Sequence, residues 1–237
     1  MTLPTRPRIA VESLIRKGDL QALLMKAGEL HGHFCPFLAL GVRAGLIAMQ
    51  ALGVQENPGM EDVVAILECN NCFSDGVQVV TGCTFGNNAL IYRDVGKTAF
   101  TLARRDGEAV RVALRADFVE GFRSRIPEEA NVLFRKIVQE HQEATPEERA
   151  RLNELWTEAS FRQLEIPQEE VFIVQRLHVE VPPRSRIFAS VRCALCGESV
   201  METRARIKDG QPVCIPCAGD AHYRLDGYGI SVESGRR

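Results

Sequence analysis

The chain has 237 residues, a formal net charge of −2 and 45% hydrophobic residues. This length suits one large domain or two smaller ones, and the charge gives no general attraction to nucleic acid or to a membrane. The longest apolar run, residues 37–49, contains Arg43 and two glycines and is too short for a membrane span. The N-terminus lacks the apolar core of a signal peptide, so we expect a soluble, cytoplasmic protein.

The first helices are predicted from residues 11–30, where Asp19 is a suitable N-cap. A longer helix is predicted from Pro36 to residue 52, because proline suits the first helical position. Its few polar side chains predict burial on nearly all sides. Small residues along this helix would let a neighbouring backbone approach closely.

Cys35 lies directly before this predicted helix. The free N–H groups of a helix N-terminus favour a thiolate, which is a nucleophile or a metal ligand. A lone cysteine is as often a buried apolar residue, but His31 and His33 precede Cys35, and Cys72 and Cys83 follow it within one compact region. This grouping predicts a metal or redox pocket, with Cys35 as ligand or catalytic nucleophile.

Several strands follow the long helix. Residues 63–68 predict a buried strand that ends at Cys69 and Cys72, and Ser74 and Asp75 are the predicted caps of a short helix. Cys69 could form a redox pair with Cys72, complete a cluster with Cys35 and Cys83, or be a buried thiol next to the pocket, and the last interpretation is favoured. Further strands are predicted at residues 90–93, 98–104 and 109–114. The predicted fold class is therefore α+β, with an antiparallel sheet packed on the long helix.

A charged helical extension is predicted from residue 116 to residue 164. Thr145 and Glu148 form a capping box around Pro146, so a helical hairpin turns near residue 145. Residues 166–180 predict one more strand, and residues 181–186 read as a linker. We therefore predict a core domain at residues 1–181 and a small domain at residues 182–237.

The small domain carries two Cys-x-x-Cys pairs separated by seventeen residues. This spacing predicts a tetrahedral zinc site of four thiolates, as in a zinc ribbon or treble clef. Four thiolates leave no open position, so the zinc should be structural. The predicted ligands are Cys193, Cys196, Cys214 and Cys217.

Residues 31–36, with the later motifs at 75–86 and 94–97, resemble the FmdE family of formylmethanofuran dehydrogenase subunits over about residues 18–115. The resemblance implies an α+β fold, an intertwined homodimer and a pocket for zinc or another transition metal. Carried over to this chain, it implies that Cys35, Cys72 and Cys83 bind the metal with His31 or His33. Residues 86–88 lack a lysine that the family commonly has. The C-terminal motif resembles the finger of the TraR and DksA regulators.

Three functions stay open at this point. The first is a metal-dependent or thiol-dependent enzyme, or an accessory subunit, in one-carbon or molybdenum/tungsten metabolism. The second is a metal carrier or assembly factor that serves a partner metalloenzyme. The third, a zinc-finger regulator, is disfavoured because residues 182–237 hold nine basic against six acidic residues, a weak footprint for nucleic acid.

Overall fold

The computed structural model describes residues 6–235, and the chain divides into two compact units between Pro182 and Pro183. Each unit is described by itself. Residues 1–5, which belong to the stretch from which the absence of a signal peptide was predicted, lie outside the described residues. Among the described helices, none is both long and apolar enough to cross a membrane.

The first unit contains eight α-helices among its described residues. They are α1 Ile9–Lys17, α2 Leu20–His31, α3 Pro36–Ala51, α4 Cys72–Thr81, α5 Ala116–Glu120, α6 Glu128–Phe134, α7 Pro146–Arg162 and α8 Gln168–Val171. A 3-10 turn at Phe122–Arg125 and a π turn at Arg135–Gln139 lie next to α6. The strands of this unit are β1 Val63–Leu67, β2 Leu90–Tyr92, β3 Ala99–Arg104, β4 Glu108–Leu114 and β5 Phe172–His178.

These strands form one sheet in the order β2-β1-β3-β4-β5. The α+β class is confirmed, but the prediction of a wholly antiparallel sheet is wrong, because β1 and β2 are parallel with Ala65 opposite Leu90. The physical reason lies between them: α4 carries the chain back along the sheet, so β2 must run in the direction of β1. The other neighbouring strands are antiparallel.

The helix boundaries follow local sequence signals. The Asp19 carboxylate accepts a hydrogen bond of 3.0 Å from the Ala22 backbone N–H, which confirms the predicted cap of α2. Helix α3 begins at Pro36 and is buried along most of its length, as predicted. The predicted caps of the next helix are wrong: Asn71 caps α4, so this helix starts before Ser74 and Asp75.

Helices α3 and α4 pack so closely that their glycines cannot be replaced without movement. A Cβ atom on Gly41 would lie 2.0 Å from the Phe73 carbonyl oxygen, and one on Gly76 would lie 2.5 Å from the Leu38 carbonyl oxygen. Further along, a Cβ on Gly45 would lie 2.9 Å from the Cβ of Val80. The contacts advance together along both helices, so α3 and α4 are parallel and begin side by side.

Arg43 joins the core helix α3 to the end of α7. Its buried guanidinium donates to the carbonyl oxygens of Gln163, at 2.5 Å, and Ile166, at 2.6 Å. It also lies over the Phe172 ring, 5.3 Å from the centroid. Burial lowers the pKa of Arg43 below its ordinary value. Because these carbonyls follow the last turn of α7, Arg43 fixes the position of that helix against the core.

The second unit is built from three two-stranded hairpins and a short helix among its described residues. Its elements are β6 Ser190–Arg192, β7 Ser199–Met201, β8 Ala205–Lys208, β9 Gln211–Cys214, α9 Ile215–Ala218, β10 His222–Asp226 and β11 Gly229–Glu233. A tight turn at residues 208–211 joins β8 to β9. Asp209 and Gly210 there have positive φ angles of 51° and 74°, as expected for a tight hairpin turn.

The glycine contact predicts that Gly41→Ala destabilises the first unit. The added methyl group must push α3 away from α4, and overpacking of this kind costs about 2 kcal/mol or more in the free energy of unfolding. The measurement is urea unfolding followed by circular dichroism. Gly86→Ala is the matched control, because a Cβ there meets no atom within 4 Å and its stability should change by less than about 0.5 kcal/mol. Equal stability of the two variants would contradict the close packing.

Candidate metal centre

Two histidines and two cysteines meet where three helices end or begin. One ligand atom from each of His31, His33, Cys35 and Cys72 lies within 4.8 Å of the others. His31 is the last residue of α2, Cys35 caps α3, and Cys72 is the first residue of α4. The turn between α2 and α3 passes through Gly32, whose φ of 87° suits glycine. The side-by-side start of α3 and α4 therefore brings the two cysteines together.

His31 is held in one orientation by an acidic residue of α4. Its Nδ1 lies 2.8 Å from the Oδ2 of Asp75, and the other oxygen of Asp75 accepts a 3.0 Å hydrogen bond from Gln78. The Nε2 of His31 lies 3.9 Å from the Cys35 sulfur. A carboxylate on one ring nitrogen is the common way to orient a metal-binding histidine. Nε2 is therefore the atom that faces the cluster.

His33 is the most accessible member of the group. It is exposed, and its ring lies 4.3 Å from the His31 ring and 6.1 Å from the ring of Trp156, centroid to centroid. Desolvation by its neighbours, and then the charge of His31, lower the pKa of His33. The neutral imidazole, which is the form that binds metals, is thereby favoured.

A hydrogen bond between the two cysteines shifts their pKa values in opposite directions. The hydrogen bond between the Cys35 and Cys72 sulfur atoms lowers the pKa of Cys72 to about 6 and raises the pKa of Cys35. His31 adds a smaller effect in the same direction at Cys72. The role of Cys35 as ligand or nucleophile stays a prediction.

Cys83 does not lie with the other predicted pocket residues. It follows the last turn of α4, and a helix of this length separates it from Cys72 by about 15 Å. Its buried sulfur lies 3.5 Å from the Val63 carbonyl oxygen, and burial raises the pKa of its thiol to about 11. Cys69 is also buried, 3.9 Å from the Ser74 hydroxyl, with a raised pKa. Neither thiol belongs to the four-residue group.

A cavity of about 420 Å³ opens beside the two cysteines. Its floor is formed by the starts of α3 and α4, and its walls come from the helical extension. The sequence missed these wall residues, because the extension lies far from the motif along the chain and its helical pattern shows no link to the pocket. The cavity is lined by Cys35, Pro36, Phe37, Asn71, Cys72, Val119, Phe122, Arg123, Ile126, Asn131, Phe134 and Trp156.

The second unit brings its four cysteines together as the spacing predicts. The sulfur atoms of Cys193, Cys196, Cys214 and Cys217 all lie within 4.8 Å of one another. The Cys193 sulfur accepts a 3.3 Å hydrogen bond from the Cys214 backbone N–H, and backbone donors at Cys196 and Cys214 lower the pKa of Cys193 to about 6. Four thiolates at this separation fit a tetrahedral zinc ion and leave no position for a substrate.

The fold and the two clusters define a class of protein: an α+β core with a Cys/His metal-binding group, followed by a four-cysteine zinc finger. Residues 30–173 match the family described as "FmdE, Molybdenum formylmethanofuran dehydrogenase operon". Residues 186–223 match the "Prokaryotic dksA/traR C4-type zinc finger". The chain belongs to the FmdE family and carries this zinc finger at its C-terminal end.

Two known proteins are similar to this chain. A "Probable S-adenosyl-L-methionine-binding protein" of Archaeoglobus fulgidus is 48% identical over 218 residues, which cover 90% of this chain and 57% of the relative. The chain therefore spans little more than half the length of that relative. The crystal structure of a tungsten formylmethanofuran dehydrogenase FmdE-like protein from Syntrophus aciditrophicus shares the fold, with a TM-score of 0.55 and 22% identity. The match covers 84% of this chain and 92% of that one.

The Asp75–His31 contact predicts that Asp75→Asn weakens zinc binding in the first unit. The amide cannot hold and polarise the imidazole as a carboxylate does, and such changes typically cost about 10- to 100-fold in metal affinity. The measurement is competition with a chelator on the zinc-loaded chain, which releases the zinc ions in two steps. We expect the first-unit site to be the weaker of the two, and its apparent zinc affinity should fall. Asp106→Asn, in the β3–β4 turn, is the matched control and should leave both steps unchanged. An unshifted titration of Asp75→Asn would show that His31 is not a ligand.

Proposed function

We propose that His31, His33, Cys35 and Cys72 hold one transition-metal ion, with zinc as the first choice, and present it to a small substrate in the neighbouring cavity. The single observation that carries the proposal is the position of four ligand atoms beside that cavity. Two thiolates and two imidazoles at this separation suit tetrahedral zinc. A bound zinc would supply Lewis-acid chemistry.

The four side chains would have different tasks in such a centre. Asp75 fixes the His31 ring, and the backbone starts of α3 and α4 fix Cys35 and Cys72. His33 is exposed, and no described residue holds its ring by a hydrogen bond. We therefore propose His33 as the exchangeable ligand, whose departure opens a position for substrate. The apolar cavity walls would keep water away from that position.

The FmdE family assignment suggests the kind of metabolism in which this metal centre would act. We propose that the chain is a metal-dependent enzyme, or an accessory subunit of one, in one-carbon or molybdenum/tungsten metabolism of the formylmethanofuran dehydrogenase type. All eight cysteines are free, which suits the reducing cytoplasm. The accessible His33 favours a second candidate, a metal carrier or assembly factor without turnover.

The name of the Archaeoglobus relative adds S-adenosyl-L-methionine as a candidate ligand. Since the chain spans 57% of that relative, its ligand site lies either in the shared part or in the rest of the relative. Binding of this molecule by the present chain is therefore a proposal of its own. S-adenosyl-L-methionine should therefore be titrated against the chain together with other small ligands.

The proposed centre predicts two zinc ions per chain, one in each unit. Elemental analysis of anaerobically purified protein should find two in the unaltered chain and one in Cys72→Ser, with the finger still loaded. Cys83→Ser is the matched control and should keep two, because its sulfur lies outside the group. One zinc in the unaltered chain would contradict the proposal.

Substitution of the zinc by cobalt(II) tests whether the metal has a coordination position that a small ligand can reach. Visible absorption of thiolate-bound cobalt should change when a small ligand such as cyanide or S-adenosyl-L-methionine reaches an open position. Rapid and complete transfer of the metal to a weak chelator, with no ligand-dependent spectrum, would favour the carrier over the enzyme.

We further propose that the chain forms a homodimer, as the family resemblance implies. The edge strand β5 carries exposed Ile173 and Val174, which an isolated protein would leave in water. Light scattering on the eluting protein should give about twice the chain mass of 26.3 kDa. A mass of one chain across the micromolar range would contradict this.

A further inference from the structure

The cavity beside the two cysteines has aromatic walls. Four rings line it, and they hold one another in place: Phe37 and Phe122 meet edge to face at 5.2 Å, and Phe134 and Trp156 meet at 5.0 Å between centroids. Each of these rings is packed against another ring, which restricts its motion. A planar aromatic group can stack on such rings at little cost in conformational entropy.

The cavity lining also contains one cationic side chain, Arg123. Arg123 is the only basic side chain that lines the cavity among the described residues. It is exposed, and no described carboxylate pairs with it. Its neighbour Arg125 is also exposed, but it lies 3.8 Å from Glu170 and over the Phe118 ring, and it does not line the cavity. Arg123 is therefore available to bind a ligand, whereas Arg125 already contacts Glu170 and Phe118.

The polar groups at the floor also limit what can bind. The side-chain oxygen of Asn71 is taken by the Phe73 backbone N–H at 3.0 Å, so only its amide nitrogen can face a ligand, as a hydrogen-bond donor. The side-chain nitrogen of Asn131 is taken by the Arg123 and Ile126 carbonyl oxygens at 2.9 and 3.3 Å. Asn131 therefore offers its side-chain oxygen to a donor, whereas Arg123 and Asn71 favour an acceptor on the ligand. No carboxylate among the described residues lines the cavity.

We propose that this cavity binds a planar aromatic molecule with one anionic group, its ring stacked among the four aromatic side chains and its anion at Arg123. A volume of about 420 Å³ accommodates a ligand of one or two fused rings with short substituents. The inference rests on the proposed function for one point, that the inner end of the ligand meets the metal centre. Recognition of the ring and of the anionic group depends only on the residues that line the cavity.

Three probes separate the ring from the charge. 2-Naphthoate has both, 2-naphthamide has the ring without the charge, and cyclohexanecarboxylate has the charge without the aromatic ring. Trp156 is the one tryptophan of the chain, so its fluorescence reports binding in this cavity, and isothermal titration calorimetry gives the affinities. The protein is the zinc-loaded full-length chain at low ionic strength.

We expect 2-naphthoate to quench Trp156 and to bind about 3- to 10-fold more tightly than 2-naphthamide, with cyclohexanecarboxylate weakest. Arg123→Gln should remove the preference for naphthoate over naphthamide, while Arg125→Gln, the matched control, keeps it. Equal affinities for the acid and the amide in the unaltered protein, or a preference that survives Arg123→Gln, would overturn the inference.

Zinc content measured on the same samples separates this inference from the proposed function. Zinc bound at two per chain without naphthoate binding would overturn the aromatic-anion site and leave the metal centre intact. An Arg123-dependent naphthoate preference in a chain with zinc only in the finger would support the cavity and contradict the metal centre.

Discussion

The structure of the first unit depends on the direct contact of two parallel helices through glycine. Because Gly41 and Gly76 have no side chains, the backbones of α3 and α4 lie against each other, and both helices begin at the same place. Cys35 and Cys72 stand at those two beginnings, although a helix, a loop and a strand separate them along the chain. The same contact places both sulfur atoms at the starts of helices, close enough together to bind one metal ion.

A second constraint links the site to the helical extension. Arg43, buried in α3, donates to two carbonyl oxygens beyond the end of α7, and no carboxylate is needed to hold it there. The helix that it secures carries Trp156, which stacks on His33 and lines the cavity. The metal-binding group and its cavity are thus made by different parts of the chain. A loss of packing between them should alter ligand binding before it alters metal binding.

Much of this arrangement was predictable from local signals. Pro36 marked the start of the buried helix, the spacing of Cys193 and its partners marked the finger, and the hairpin turns were set by short polar sequences. Signals of that kind say little about how distant elements meet. The sequence therefore grouped Cys83 with the pocket, although a helix of about 15 Å separates it from Cys72. It also predicted an antiparallel sheet, although β2 runs parallel to β1. It also missed the wall residues, since a periodic charged helix does not reveal which site its inner face covers.

The central claim is that His31, His33, Cys35 and Cys72 form one metal site at the start of two touching helices. Anomalous X-ray diffraction at the zinc absorption edge, on crystals of the full-length chain, tests it most directly. The account predicts two peaks per chain, one among the four finger sulfurs and one within about 2.5 Å of the Cys35 and Cys72 sulfurs. A peak in the finger alone, or a second peak at Cys83, would contradict it.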